Sequence, residues 1–97
     1  MELLQKAAER GKVEAQYKLG LMYEKGQEVP QDYDKALEWF EKAAEQGHAK
    51  AQYSLGVMYY NGQGVPKDRQ KAYSLWRIAK EQSLKDALAL YNKNRDP

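Results

Sequence analysis

A repeat of 36 residues constrains this chain more than any other feature. Gly11 falls on Gly47, Ala15-Gln16-Tyr17 on Ala51-Gln52-Tyr53, Leu19-Gly20 on Leu55-Gly56, and Met22-Tyr23 on Met58-Tyr59. The same offset carries Gly26-Gln27 onto Gly62-Gln63, Val29-Pro30 onto Val65-Pro66, and Asp32 onto Asp68. It also carries Lys35-Ala36 onto Lys71-Ala72 and Glu45-Gln46 onto Glu81-Gln82. Residues 11–46 and 47–82 are identical at 18 of 36 positions, far beyond chance. A fixed period of this length marks a stack of supersecondary units. Each unit buries its apolar face only against its neighbours.

The flanks keep the register. Residues 1–10 mirror 37–46, and residues 83–97 begin a third copy in which Ala87 matches Ala51. That copy then decays, with Leu88 in place of Gln, Ala89 in place of Tyr and Tyr91 in place of Leu. The chain therefore reads as one repeat domain over 1–97. It comprises a half-unit helix (1–10), repeat one (11–46), repeat two (47–82) and a degenerate closing helix (83–97).

Each unit reads as two helices. Ala15, Leu19, Met22 and Tyr23 share a face at helical spacing. Gly26 ends that helix, Pro30 suits the loop, and Asp32 caps the second helix by accepting orphan backbone N–H groups. Ala36, Trp39, Phe40 and Ala43 form the inward face of the second helix. Unit two repeats this with Gly62, Pro66, Asp68, Ala72, Leu75, Trp76 and Ala79. Helices are predicted over roughly 2–10, 12–25, 33–46, 48–61 and 69–82, with a less regular one near 84–93. Gly20 and Gly56 recur inside helices, where Gly costs about 1 kcal/mol relative to Ala, so close helix packing is expected there. Two mismatches stand out. Glu28 occupies the place of Gly64, so the two loops are expected to differ in backbone geometry. Ser83 stands where Gly11 and Gly47 do, which predicts a less sharp or differently capped last turn.

With Ala15-Gln16-Tyr17-x-Leu19-Gly20-x-Met22-Tyr23, the loop Gly62-Gln63-Gly64-Val65-Pro66-Lys67-Asp68 and the Lys71-Ala72 pair in view, the chain resembles the Sel1-like repeat family. That family is a relative of the tetratricopeptide repeat, and the resemblance covers nearly the whole chain. It implies an all-α fold, a right-handed α-solenoid of antiparallel helix pairs. It further implies a protein-binding scaffold in multiprotein assemblies, signalling or bacterial interaction with hosts, and no catalytic residues.

Composition and motifs agree with a binding role. Without cysteine there is no thiol chemistry and no thiolate metal site, and one histidine excludes a multi-histidine site. His48 follows Gly47 at a helix start and reads as a surface or capping residue. Gly62-x-Gly64 lacks the Gly-Lys-Ser/Thr of a phosphate loop. No enzyme, cofactor or metal is expected. Lys plus Arg number 16 and Asp plus Glu 14, a net +2 with signs mixed along the helices, so no basic stripe would track a nucleic acid. No apolar run reaches the 18 or so residues of a membrane span, and no cleavable leader follows Met1. Neither nucleic acid nor membrane is expected as a partner, and a cytoplasmic location is favoured.

In related repeats the first helix of each pair lines the concave face. Carried over, the resemblance puts Glu14, Tyr17, Lys18, Leu21, Glu24 and Lys25 on that face in unit one. In unit two it puts Lys50, Tyr53, Ser54, Val57, Tyr60 and Asn61 there. Tyr60 is the favoured anchor, because its equivalent is Glu24 and the repeat does not require its ring. The expected partner is a protein or peptide bound on this face. The alternative is a structural or self-associating piece of a longer array, with weak self-association through the N-terminal helix, where Leu3 and Leu4 stand in for Trp39 and Phe40.

Overall fold

Backbone hydrogen bonding along the chain produces five helices and no strand among the described residues. The structure, a computed structural model, describes residues 1–95, with all their side chains except those of Tyr91, Asn94 and Arg95. The helices are α1 (Glu2–Glu9), α2 (Val13–Lys25), α3 (Tyr33–Glu45), α4 (Ala49–Asn61) and α5 (Arg69–Arg95). Substantial contacts run only from each helix to the next, α1 to α2 and so on to α5, which is the linear order of a solenoid. The molecule is correspondingly flat, with extents of 50 × 36 × 18 Å.

The expected punctuation operates in both units. Gly26 and Gly62 close α2 and α4 with N–H bonds to the Met22 and Met58 carbonyls. Asp32 and Asp68 accept from the Lys35 and Lys71 N–H groups at 3.2 and 3.0 Å. Their own N–H groups donate back to the Tyr23 and Tyr59 carbonyls, which pins each loop to the helix it leaves.

Two apolar clusters form the core. One joins Ala8 of α1, Ala15, Leu19 and Met22 of α2, and Trp39 of α3. The other joins Ala36, Leu37, Phe40 and Ala43 of α3 to Ala51, Leu55 and Met58 of α4. The internal glycines are where helices press together. A Cβ on Gly20 would sit 2.6 Å from the Phe40 ring, and one on Gly56 would run into the Trp76 indole. Gln16 and Gln52 stitch the units by donating to the Ala8 and Ala44 carbonyls, each at 3.1 Å. In unit one Gln46 Nε2 completes the stitch, reaching Gln16 Oε1 at 2.8 Å and the Gly11 carbonyl at 3.1 Å.

Both mismatches resolve differently from expectation. Glu28 does not change its loop, because its φ of +64° matches the +74° of Gly64. The exposed Glu28 tolerates the left-handed backbone. At Gly64 a Cβ would stand 2.8 Å from Tyr33 Cβ, so there glycine is also demanded by packing. Ser83 does not turn the chain at all. Gly11 and Gly47 turn with φ of +93° and +82°, a region that costs residues with a Cβ. Serine stays helical, and the predicted helices at 69–82 and 84–93 are one continuous α5. The closing helix expected over 83–97 is thus the straight extension of α5, with Asp96 and Pro97 outside the described residues.

Candidate functional site

The extension of α5 leaves the second unit uncovered on the face that α4 covers in the first. The 36-residue offset makes the comparison direct. Phe40 is fully buried, whereas its equivalent Trp76 is half-buried. Leu37 is 6% exposed and its equivalent Tyr73 49%. Tyr17 is half-buried, with its ring centroid 4.7 Å from that of His48, whereas Tyr53 is 57% exposed.

These exposed rings gather into one aromatic cluster. Trp76 lies 6.0 Å from Tyr53, 5.5 Å from Tyr60 and 5.9 Å from Tyr73, centroid to centroid. Its indole N–H donates to the Tyr53 carbonyl at 3.2 Å, and the Arg69 guanidinium sits 4.7 Å over the Tyr60 ring. Beside the cluster runs an open groove of about 560 Å³ between α2, α4 and α5. Tyr17, Tyr53, Trp76 and Ala79 supply its apolar walls, and Lys50 and Lys80 its cationic rim.

Three of the twelve expected binding residues, Tyr17, Lys50 and Tyr53, meet in this groove. Glu14, Tyr17, Lys18 and Leu21 line a second hollow of about 420 Å³ against Leu4 of α1. Glu24, Lys25, Ser54, Val57, Tyr60 and Asn61 line neither. Tyr60 is half-buried among Trp76, Tyr73 and Arg69, so its ring is already engaged within the molecule. Burial also pushes the Glu24 carboxyl above its ordinary 4.5, partly offset by the charge of Lys25. Trp76, Tyr73 and Lys80 were outside the expected set. The signal for Trp76 was present in its alignment with Phe40, but only the missing cover converts that core position into a groove wall.

His48 caps α4. Its Nδ1 accepts the Ala51 N–H at 3.1 Å, which leaves Nε2–H to donate to the Glu14 carboxylate at 2.9 Å. Among the described residues no cluster of three His, Asp or Glu side chains is placed to hold a metal ion. No helix among them is long and apolar enough to cross a membrane.

Helix hairpins stacked in register, with the substantial contacts running between successive helices, define an α-solenoid. The Sel1 repeat model matches residues 1–12, 13–48 and 49–84, so the chain belongs to the Sel1 repeat family. It is similar, at 46% identity and a TM-score of 0.82, to c5321, a protective antigen of uropathogenic Escherichia coli strains displaying an SLR fold. It is also similar, at 41% identity and a TM-score of 0.79, to a Sel1 repeat protein from Oxalobacter formigenes. Both matches cover 84% of this chain, but only 18% and 33% of those proteins. No curated protein matches the chain. Sel1 repeats are typically non-catalytic scaffolds for protein–protein interaction.

Proposed function

We propose that this chain is an interaction scaffold that holds a protein or peptide segment in the groove between α2, α4 and α5. The observation that carries the reading is the exposure of Tyr53, 57%, on a groove floored by Trp76. An apolar patch of aromatic rings with a polar rim is the anatomy of an interaction hot spot. The Lys50 and Lys80 ammonium groups at the rim suit a segment that carries an apolar anchor beside a carboxylate. The α2 residues Glu14, Lys18 and Leu21 extend the face toward α1, where a longer segment would continue.

Selection from a random peptide library on the immobilised protein supplies a ligand, and titration of that ligand tests the site. Tyr53→Ala should weaken binding about 30-fold or more, the usual cost of truncating a buried anchor. Lys25→Ala, far from the groove, should leave affinity unchanged. Equal affinities for Tyr53→Ala and the parent would place the interaction elsewhere. Self-association is the second reading, favoured by the row of exposed leucines on α5.

A further inference from the structure

The groove and the α5 extension are two halves of one interface that the straight helix keeps apart. In the first unit, His48 at the head of α4 lies against Tyr17 of α2, and Ala51 and Gln52 pack on α3, with Ala51 fully buried and Gln52 5% exposed. The equivalents one repeat later are Leu84, Ala87 and Leu88. All three are exposed, Leu84 at 62% and Leu88 at 52%. They make an uncharged stripe at i, i+3 and i+4, the spacing of a packing face. The surface that this stripe would cover is Tyr53, Trp76 and Ala79 of the groove already described, with Tyr73 of the adjoining aromatic cluster. Both the missing cover and its seat are therefore present in each chain.

We propose that the 84–95 segment of a second copy closes this groove, in exchange for the same segment of the first. This rests on the reading of the groove as an interaction surface and names its occupant. Two observations favour exchange between copies. First, Ser83 keeps α5 straight, so a chain cannot lay its own extension on its own groove without a left-handed serine. Second, α3 and α4 run antiparallel, with Gln52 bonded to the Ala44 carbonyl. Two straight α5 helices crossing antiparallel near Ser83 set Leu88 of one opposite Lys80 of the other. This reproduces the pairing of Gln52 with Ala44 under a two-fold axis, and the exchange closes after two copies.

Gln52 carries the mark of the open state. It is the counterpart of Gln16, whose Oε1 accepts from Gln46. Gln52 Oε1 is buried and has no partner among the described residues. Gln82, the counterpart of Gln46, bonds instead to Asp86 of the same straight helix at 3.2 Å. The exchanged arrangement has Gln82 leave Asp86 and take up Gln52, as Gln46 takes up Gln16.

Light scattering over a concentration series tests the exchange. The parent is expected to be a dimer at the upper concentrations. Leu88→Asp should raise the dimer dissociation constant at least about 30-fold, with helix content by circular dichroism unchanged. Ser83→Gly, which permits the turn made at Gly47, should give a folded monomer, because the extension can then close on its own chain. Leu3→Asp on α1 should leave the dimer intact. A monomeric parent at every concentration overturns the exchange, as does a dimer that survives Leu88→Asp or dissolves on Leu3→Asp. The scaffold reading fails separately, when selected peptides bind Tyr53→Ala as well as the parent.

Discussion

Glu28 holds a backbone that glycine holds 36 residues later, and it does so at a φ of +64°. A residue with a Cβ loses about 1 kcal/mol there, and no hydrogen bond of the Glu28 side chain is available in return among the described residues. Replacing it removes the strain while also loosening the unfolded chain slightly. Glu28→Gly is therefore expected to raise stability by about 0.5–1 kcal/mol, read as a higher urea midpoint at unchanged slope. An unchanged or lower midpoint would mean that the carboxylate or its stem contributes something the geometry does not reveal. Gly64→Ala should show the opposite sign, because its Cβ would meet Tyr33 at 2.8 Å.

Helix pairs are stitched by glutamines, and the two stitches are unequal. Gln46 holds both Gln16 and the Gly11 carbonyl, whereas Gln82 holds only the exposed Asp86. Gln46→Ala leaves the buried Gln16 Oε1 unpaired and should cost about 1–3 kcal/mol. Gln82→Ala should cost under about 0.5 kcal/mol in the dilute protein, as exposed substitutions do. Thermal melts of the two variants, run side by side, decide this, and equal losses would contradict it. The same contrast shows what the sequence could disclose. Helix pairs, caps at Asp32 and Asp68, and the glycine contacts at Gly20 and Gly56 were all legible, because each is a local rule repeated at a fixed offset. The fate of Ser83 was legible only as a departure. Losing the glycine removes the favoured turn without naming what replaces it, and the Ala, Leu and Lys that follow then carry the helix onward. For the candidate site, Tyr17, Lys50 and Tyr53 were among the residues that the family resemblance put on the binding face. Trp76 and Tyr73 were not, since their exposure depends on a helix that fails to fold back.

At the scale of the whole molecule, stability is distributed along a line. α3 contributes to both apolar clusters and is packed on both flanks, whereas α1 is packed on one flank only, chiefly by α2. Units with few buried contacts open first. Amide exchange should therefore be slowest in α3 and α4 and faster in α1, and uniform protection from α1 to α4 would show that the stack opens only as a whole. The two tryptophans sit on opposite sides of this gradient. Trp39 is 7% exposed in the α1–α2–α3 cluster, and Trp76 is half-buried at the groove. Their indoles consequently report different events by their own fluorescence. Emission from Trp39 shifts to the red only when the first unit comes apart. Emission from Trp76 shifts to the blue when anything, a peptide or a sister helix, displaces water from the groove. In Trp39→Phe protein the remaining signal is an occupancy meter for the groove, and in Trp76→Phe protein it is a gauge of folding. Two departures from the repeat, Trp39 against Leu75 and Trp76 against Phe40, thus place two optical probes, without any added label, on the two questions this molecule poses.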